Sequence, residues 1–304
     1  MKIAILTSGG DSPGMNSLLT NLIHFGLKNN HELYLINDGY YGLTNSKFLE
    51  IKDDIEILSY RWNSGSYIGC SRYPEFVNLV EKAVENLQKH KIDCVCAIGG
   101  NGTFEGAKLL NKYIRTFFFP ATIDNDVWFS DYCLGYGSAL QEIIDSAKKL
   151  EATFKTHKNI IFTEIMGRYC NDLLVNCNKA MSLGLMISNE KKLNKFEIKE
   201  LISEFYKKYN YAFIFVIEKL YVKNEIDEII KYLENEFKAS VRYQILGYTQ
   251  RGANVVFDDL LFSFDLTNKF YNIVNRQNLG GALFKKNNEI EFKEYGQLEN
   301  ESFK

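Results

Sequence analysis

The sequence predicts an α/β protein built on parallel sheets. Short apolar runs alternate with longer amphipathic stretches through most of the 304 residues. Most of the apolar runs are continuous rather than alternating, as expected for parallel strands covered on both faces. Glycine-rich turns follow the first and third runs and lead into helical patterns. This βαβα order is typical of α/β folds.

Seven apolar runs are predicted to be strands because they are short and are bounded by polar or glycine residues. An eighth run, Glu289–Glu294, alternates and follows a polar stretch. The tail after Gly281 is therefore expected to be only partly ordered. The seven predicted strands are Lys2–Thr7, Glu32–Asn37, Asp93–Ile98, Arg115–Phe119, Asn159–Ile165, Tyr211–Ile217 and Arg242–Leu246.

The stretches between the strands carry apolar residues at helical spacing. Seven strands and eight helices fit two α/β layers better than one. The breaks near residues 135–137 and 251–253 are predicted crossover points between the two halves. The predicted helices are Gly14–Leu27, Glu75–His90, Phe104–Tyr113, Ser138–Phe154, Asn171–Leu183, Lys195–Lys208, Glu225–Phe237 and Asp258–Val274.

Composition excludes several function classes. A net charge of −2 gives no basic field to attract nucleic acid. No apolar run reaches the ~18 residues of a membrane span, and Met1–Leu6 is too short for a signal peptide, so a cytoplasmic protein without membrane contact is expected. The 6 cysteines lack C-x-x-C spacing and the 4 histidines lack H-E-x-x-H, which indicates reduced thiols and disfavours a zinc hydrolase.

Two glycine turns, Thr7–Asn16 and Ile98–Gly106, follow predicted strands and open helices. Glycine lets the backbone approach a ligand closely, and a helix N-terminus favours anions. Taken singly, each turn fits a tight strand-to-helix connection equally well. Together, at the carboxyl ends of strands in one sheet, they predict a phosphate-rich ligand there.

The fourth strand runs into Pro120–Asp126, where Asp124 and Asp126 stand two residues apart. Such a pair suits a general base with an orienting or metal-binding partner, as phosphoryl transfer to a hydroxyl requires. An Asp-Asn-Asp turn with self-capping side chains is the structural alternative. Arginines beside turn residues, among them Arg72, Arg168 and Arg251, suit bidentate phosphate binding or, singly, surface ion pairs.

Together these segments resemble the ATP-dependent 6-phosphofructokinase family. The resemblance covers about residues 1–282 and implies two similar Rossmann-like α/β domains with parallel sheets and the active site in their cleft. It also implies a homo-oligomer, either a dimer or the tetramer that is normal in the family. The matching segments, in the family's order, are Thr7–Asn16, Asp38–Leu43, Gly69–Phe76, Ile98–Gly106, Pro120–Asp126, Glu164–Tyr169 and Leu246–Gly252.

The resemblance implies an ATP-binding domain of residues 1–136 plus 252–290 and a fructose 6-phosphate-binding domain of residues 137–251, with the tail 291–304 as a further candidate part of the second. The implied reaction is Mg²⁺-dependent phosphorylation of the 1-hydroxyl of fructose 6-phosphate by ATP, in glycolysis. Two alternatives stay open: a catalytically impaired or regulatory subunit in a hetero-oligomer with an active paralogue, and an enzyme with another donor or phosphosugar acceptor.

By the same resemblance, Asp124 is the base, Thr122 lies beside the transferred phosphoryl group, and Asp126 and Arg168 support the catalytic site. Ala121 and Gly102 stand where pyrophosphate-dependent members usually carry lysine and aspartate, which favours ATP. The implied ATP positions are Gly10, Tyr40, Arg72, Tyr73, Gly100, Asn101, Gly102, Thr103 and Gly106.

The sugar phosphate is implied to contact two groups of residues. Thr122, Ile123 and Asp124 belong to the strand-end loop just described. In the family, the counterparts of Arg242 and Asn159 reach a neighbouring subunit's site. The remaining implied contacts are Asn159, Met166, Gly167, Arg168, Glu218, Arg242, Tyr248 and Arg251.

Several positions depart from the family pattern. Asn101 replaces the aspartate associated with Mg²⁺, so weakened metal binding is expected because an amide supplies no charge. Asn159 replaces an arginine and Tyr248 a histidine at the sugar-phosphate site. At the effector site of bacterial members, arginine positions carry neutral or acidic residues, so weak control by ADP or phosphoenolpyruvate is expected. These positions are Thr20, His24, Asp54 and Glu151, while Lys207 survives and Tyr209 replaces a lysine.

Overall fold

The computed structural model describes residues 1–182, 184–276 and 278–299. The chain divides into two compact units: the first contains Met1–Ser138 and the chain from Arg251 onward, and the second contains Ala139–Gln250. These boundaries lie within two residues of the predicted crossover points. The described part of the tail belongs to the first unit, so the option of assigning residues 291–304 to the second domain is wrong for residues 291–299.

Among the described residues, all seven predicted apolar runs form strands whose bounds differ from the predicted ones by at most one residue, and three strands lie in segments that the pattern missed. The missed segments are a four-residue edge strand, a two-residue strand and the first strand of the C-terminal hairpin. The strands are β1 (Lys2–Thr7), β2 (Glu32–Ile36), β3 (Phe48–Ile51), β4 (Cys94–Gly99), β5 (Arg115–Pro120), β6 (Ile160–Ile165), β7 (Met186–Ile187), β8 (Ala212–Ile217), β9 (Val241–Ile245), β10 (Gly281–Lys286) and β11 (Glu289–Glu294).

Helices fill the connections, and no helix in the described ranges is long and apolar enough to cross a membrane. The fourth helix starts later than predicted because Pro74–Asn78 forms a separate 3₁₀ turn. The predicted end of the helix at Leu183 lies outside the described residues. The helices are α1 (Met15–Lys28), α2 (Gly39–Thr44), α3 (Ile55–Tyr60), α4 (Val80–Lys89), α5 (Asn101–Leu110), α6 (Tyr136–Thr156), α7 (Asp172–Met181), α8 (Lys195–Tyr209), α9 (Lys223–Phe237), α10 (Phe257–Ile273) and α11 (Tyr295–Glu299).

The first unit is built on a seven-stranded sheet with the order β11-β10-β5-β4-β1-β2-β3. Strands β10, β5, β4, β1 and β2 run parallel, and an antiparallel strand closes each edge. Apolar side chains cover both faces, with Ala4, Val95 and Phe118 on one face and Ile5, Cys96 and Phe117 on the other. This two-sided burial explains why the central runs are continuous.

The C-terminal hairpin corrects the expectation of a partly ordered tail. Ala282, Leu283 and Phe284 of β10 are buried, and Ala282 pairs with Phe118 of β5. Strand β11 pairs antiparallel with β10 along its whole length. Burial of three consecutive apolar side chains outweighs the polar character of the surrounding segment.

The second unit contains a four-stranded sheet with the order β7-β8-β6-β9, in which every pair is parallel. Strands β6 and β8 are buried throughout. Helix α8 starts with a capping box, because Asn194 accepts from the N–H groups of Phe196 and Glu197, and Glu197 accepts from the N–H of Asn194.

Candidate active site

The carboxyl ends of three neighbouring strands form the centre of the site in the first unit. Strands β5, β4 and β1 are adjacent and parallel. The pairing continues past their ends, since the Ser8 N–H donates to the Ile98 oxygen at 3.0 Å and the Ala121 N–H donates to the Gly99 oxygen at 2.9 Å. The three predicted loops, residues 7–16, 98–106 and 120–126, therefore begin at the same edge of one sheet.

Thr103 joins the two glycine turns. Its side chain is buried, and its Oγ1 donates to the Ser8 oxygen at 3.0 Å. Gly99 has to be glycine here, because a Cβ would lie 2.3 Å from the Thr103 Oγ1. Gly9 has a φ of 87°, and its N–H donates to the Ser71 oxygen at 3.0 Å. Thr103 therefore holds two loops together by its side chain.

Tyr40 is buried beneath the start of α5. Its hydroxyl donates to the Thr103 oxygen at 2.7 Å, and its ring stacks on Phe76 with 4.1 Å between centroids. Gly106 leaves room for the ring, since a Cβ there would lie 2.5 Å from Tyr40 Cε2. Burial raises the pKa of Tyr40. Both residues support the helix that carries the second glycine turn.

Arg251 lies in the first unit, against the first glycine turn. A Cβ on Gly10 would lie 3.0 Å from the Arg251 Nη1, and the same nitrogen is 3.6 Å from Asp11 Oδ1. The Arg251 side chain is 16% exposed. This guanidinium gives the loop a largely buried positive charge, which suits phosphate binding.

The remaining predicted nucleotide positions are more exposed. Arg72 is exposed, and the Tyr73 ring meets Tyr41 edge-on at 5.5 Å. A Cβ on Gly102 would have no atom within 4 Å, so this face of the α5 start is open. Gly100 packs against Thr122, because a Cβ added to Gly100 would lie 3.6 Å from the Thr122 Cβ.

The loop after β5 is fixed by its own polar groups. The Asp124 N–H donates to Thr122 Oγ1 at 3.2 Å, and Ile123 is buried. Asn125 has a left-handed φ of 53°, and its Oδ1 accepts from the Cys133 N–H at 2.9 Å. Asp124 is 6% exposed. The loop therefore presents a carboxyl group that is shielded from water, as a general base for a bound hydroxyl should be.

Asn101 connects this loop to α5. Its Nδ2 donates to the main-chain oxygen of Asp126 at 3.0 Å. Among the described residues, no three His, Cys, Asp or Glu side chains are grouped to hold a metal ion. Mg²⁺ usually takes one or two protein carboxylates together with substrate phosphates. The donors near Asn101 fit a cation carried by nucleotide phosphates better than one enclosed by protein.

The second unit holds the turn after β6. The Met166 N–H donates to Gln250 Oε1 at 3.1 Å, and Gly167 has a φ of 143°. Arg168 is left-handed with a φ of 52°, and its N–H donates to Glu218 Oε1 at 3.1 Å. The structure thus joins four predicted sugar-phosphate residues: Met166, Gly167, Arg168 and Glu218.

Two other predicted residues lie at the opposite end of β6. Asn159 precedes this strand, and Arg242 pairs with Ile161 near its beginning. Asn159 is seven residues before Met166, and the Arg242 partner Ile161 is five residues before it. At about 3.3 Å per strand residue, both therefore lie roughly 16–23 Å from Met166. The Arg242 Nη1 is 3.3 Å from Glu234 Oε1 and also donates to the Val241 oxygen. Tyr248 is 79% exposed, in the 3₁₀ turn Gly247–Gln250 after β9.

Three positioning residues were not predicted from the sequence. Gln250 is fully buried and accepts from Met166, Asn189 Nδ2 donates to the Arg168 oxygen at 3.3 Å, and Ser71 accepts from Gly9. Ser71 and Gln250 lie within segments that resemble the family, each directly before a predicted phosphate-binding arginine. That position was the sequence signal that could have identified them. Asn189 had no such signal.

These observations define a class: an α/β protein with two glycine turns and a shielded carboxylate at the carboxyl edge of a parallel sheet. The family model described as Phosphofructokinase matches residues 2–274. The chain therefore belongs to the phosphofructokinase family.

Individual relatives agree with this assignment. The chain is 37% identical over 270 residues to an ATP-dependent 6-phosphofructokinase of Glaesserella parasuis, covering 86% of this chain and 82% of the relative. The phosphofructokinase structure from Saccharomyces cerevisiae superposes with a TM-score of 0.86 at 23% identity, covering 97% of this chain and 45% of that chain. The structure of a pyrophosphate-dependent phosphofructokinase from Marinobacter aquaeolei superposes with a TM-score of 0.85 at 17% identity, covering 96% of this chain and 81% of that chain.

The last two similarities show the fold alone. The named relatives give no support to the alternative of a non-catalytic regulatory subunit.

Proposed function

We propose that the protein transfers the terminal phosphoryl group of ATP to the 1-hydroxyl of fructose 6-phosphate, giving fructose 1,6-bisphosphate in glycolysis. The observation that carries the proposal is the meeting of two glycine turns and the Asp124 loop at one sheet edge in the first unit. The 37% identity to a named 6-phosphofructokinase supplies the substrate class.

Asp124 is proposed as the general base. Asp124 is 6% exposed, and its main-chain N–H donates to Thr122 Oγ1. A carboxylate in this setting accepts the proton of the attacking hydroxyl while the phosphoryl group is transferred. Thr122 and Ile123 fix the loop, and the Asp126 carboxylate adds negative charge that would attract a cation bound to the substrate phosphates.

Arginines are proposed to hold the phosphate groups of the substrates. Arg251 sits on Gly10 in the first unit, and Arg72 follows Ser71, which accepts from Gly9. In the second unit, the Arg168 main chain is fixed by Glu218. Guanidinium groups bind phosphate oxygens bidentately, so they orient the two substrates as well as bind them.

ATP is proposed as the donor rather than pyrophosphate. Gly102 is open, with nothing within 4 Å of an added Cβ, and Ala121 is fully buried without a charge. These are the two positions at which pyrophosphate-dependent relatives usually carry aspartate and lysine. An open, uncharged surface leaves space for the nucleoside part of ATP.

Mg²⁺ is proposed to arrive with the nucleotide. Bound there, it would neutralise charge on the phosphates. The side chain proposed to face it is the Asp126 carboxylate, whereas Asn101 is a neutral amide whose Nδ2 donates to the Asp126 main-chain oxygen.

A homo-oligomer in the cytoplasm is also proposed. Asn159 and Arg242 lie about 20 Å along β6 from Met166, by strand geometry, and so serve the sugar phosphate better in a neighbouring copy. Cys70, Cys94, Cys96 and Cys177 are free thiols, which suits a reducing compartment. Sedimentation at micromolar concentration tests the oligomer, and a monomer would contradict it.

The experiment is a coupled assay of ADP release with ATP, Mg²⁺ and fructose 6-phosphate. We expect turnover by the unsubstituted protein and a loss of at least a thousandfold in kcat for Asp124→Ser. Asp227→Ser makes the same change on the exposed face of α9 and should leave kcat unchanged. Absence of turnover in the unsubstituted protein, or equal kcat in Asp124→Ser, would refute the proposal. Pyrophosphate in place of ATP tests the donor.

A further inference from the structure

Three successive contacts join the ends of β4 and β5. The first is the bond from the Ala121 N–H to the Gly99 oxygen at 2.9 Å. The second is the packing of Gly100 on Thr122, with 3.6 Å from an added Cβ to the threonine Cβ. The third is the side chain of Asn101, which reaches the loop of the proposed base.

The Asn101 contact fixes the far end of that loop. Its Nδ2 donates to the Asp126 oxygen at 3.0 Å. Asp124 lies between this anchor and its own bond to Thr122 at 3.2 Å. Asn125 supplies a further bond by accepting from the Cys133 N–H. Asp124 is therefore held on both sides, and Asn101 is the only one of these anchors that comes from α5.

The chemistry of the contact requires an amide. A main-chain oxygen only accepts hydrogen bonds, and an asparagine Nδ2 donates them. An ionised aspartate at position 101 could not donate and would bring a carboxylate against the Asp126 oxygen. The aspartate that the family usually carries there is thus incompatible with the contact seen in this chain.

We propose that Asn101 is a positioning residue, which places Asp124 by holding Asp126, and that this chain uses its amide nitrogen where relatives use a carboxylate. The kinetic part of this inference rests on the proposed kinase function. The structural part concerns the loop alone and holds for the protein without ligands.

The kinetic test compares Asn101→Asp and Asn101→Ala with Asn29→Asp. Asn29 is a matched control because its Nδ2 also donates to a main-chain oxygen, that of Phe25 at 2.7 Å, at the exposed end of α1. We expect kcat to fall at least tenfold in both Asn101 variants, with KM for both substrates within threefold and the Mg²⁺ requirement within twofold. A higher kcat or a lower Mg²⁺ requirement in Asn101→Asp would overturn the proposal and indicate a lost metal ligand.

The second readout is hydrogen–deuterium exchange of the ligand-free protein over residues 122–133. We expect exchange at least threefold faster in both Asn101 variants and unchanged in Asn29→Asp. Unchanged exchange in the Asn101 variants would overturn the proposal, whatever the kinetics. If the unsubstituted protein shows no turnover, the proposed function fails, and exchange still decides whether Asn101 holds the loop.

Discussion

Replacing Asp259 with asparagine tests how the start of α6 is held. Asp259 is fully buried, and its Oδ1 accepts from the Tyr132 hydroxyl at 2.9 Å and the Gly135 N–H at 2.8 Å. Its Oδ2 accepts from the N–H and the hydroxyl of Ser138, at 2.9 and 2.5 Å. One carboxylate therefore satisfies four donors at the end of the loop that precedes the helix.

Asparagine keeps the shape of Asp259 but turns one oxygen into a donor. The two hydroxyls can rotate to accept, so one main-chain N–H, of Gly135 or of Ser138, is left facing an NH₂ group. A buried unsatisfied donor costs about 1–3 kcal/mol, and charge-assisted bonds are weakened as well. Burial raises the pKa of Asp259, which shows that its charge is costly to bury and offsets part of this loss. We expect a net destabilisation of about 2–3 kcal/mol.

The assay is thermal unfolding followed by circular dichroism at pH 7. At about 2–4 °C per kcal/mol for a unit of this size, Tm should fall by about 4–12 °C. Asp265→Asn is the control, since it removes the same charge from a partly exposed position on the same helix. A Tm for Asp259→Asn within 1 °C of the control would refute the reasoning.

Three further predictions follow from local geometry. Gly102→Asp should fold with an unchanged Tm, because nothing lies within 4 Å of the new Cβ, while KM for ATP rises at least tenfold by charge repulsion in the coupled assay. Burial raises the pKa of Glu164 above 4.5, so the free energy of unfolding should fall as pH rises from about 4.5 through the pKa of the folded state. Glu164→Gln still accepts from Tyr243, and urea unfolding at a series of pH values should show a smaller pH dependence in this range for the variant. Because His24 Nδ1 lies 2.7 Å from Asp54 Oδ2 at two effector positions, ADP and phosphoenolpyruvate should change the rate by less than twofold in a dose–response titration, and strong ADP activation would contradict this.

The sequence pattern predicted the strands that matter most for the site. Strands β1, β4 and β5 are continuous apolar runs, so their parallel, two-sided burial could be inferred, and the observed strand order confirms it. Strands β3 and β10 could not be found in this way. β3 is a mostly exposed edge strand, and β10 is an apolar run that merges into a lysine-rich turn.

The sequence motifs did not show which of the predicted nucleotide-binding residues face a ligand and which pack the fold. Three positions that resemble nucleotide contacts, Tyr40, Thr103 and Gly106, have a packing role. The Tyr40 and Thr103 side chains join the start of α5 to the 3₁₀ turn at Phe76 and to the end of β1, and Gly106 leaves space for the Tyr40 ring. Gly102 and Arg72 are the members that remain open. Spacing fixes which residues come to a strand end, whereas burial decides which of them face a ligand.

In the turn after β6, the predicted role and the observed contacts involve different parts of the same residue. Arg168 was predicted to act through its guanidinium, but its main chain is what the structure constrains, with a left-handed φ of 52° and bonds to Glu218 and Asn189. Left-handed φ is unfavourable for a residue with a Cβ, so the two bonds must compensate for it. Glu218 thereby fixes the Arg168 main chain through its Oε1. The main-chain conformation of the turn is thus held by two side chains that lie 50 and 21 positions away in the sequence.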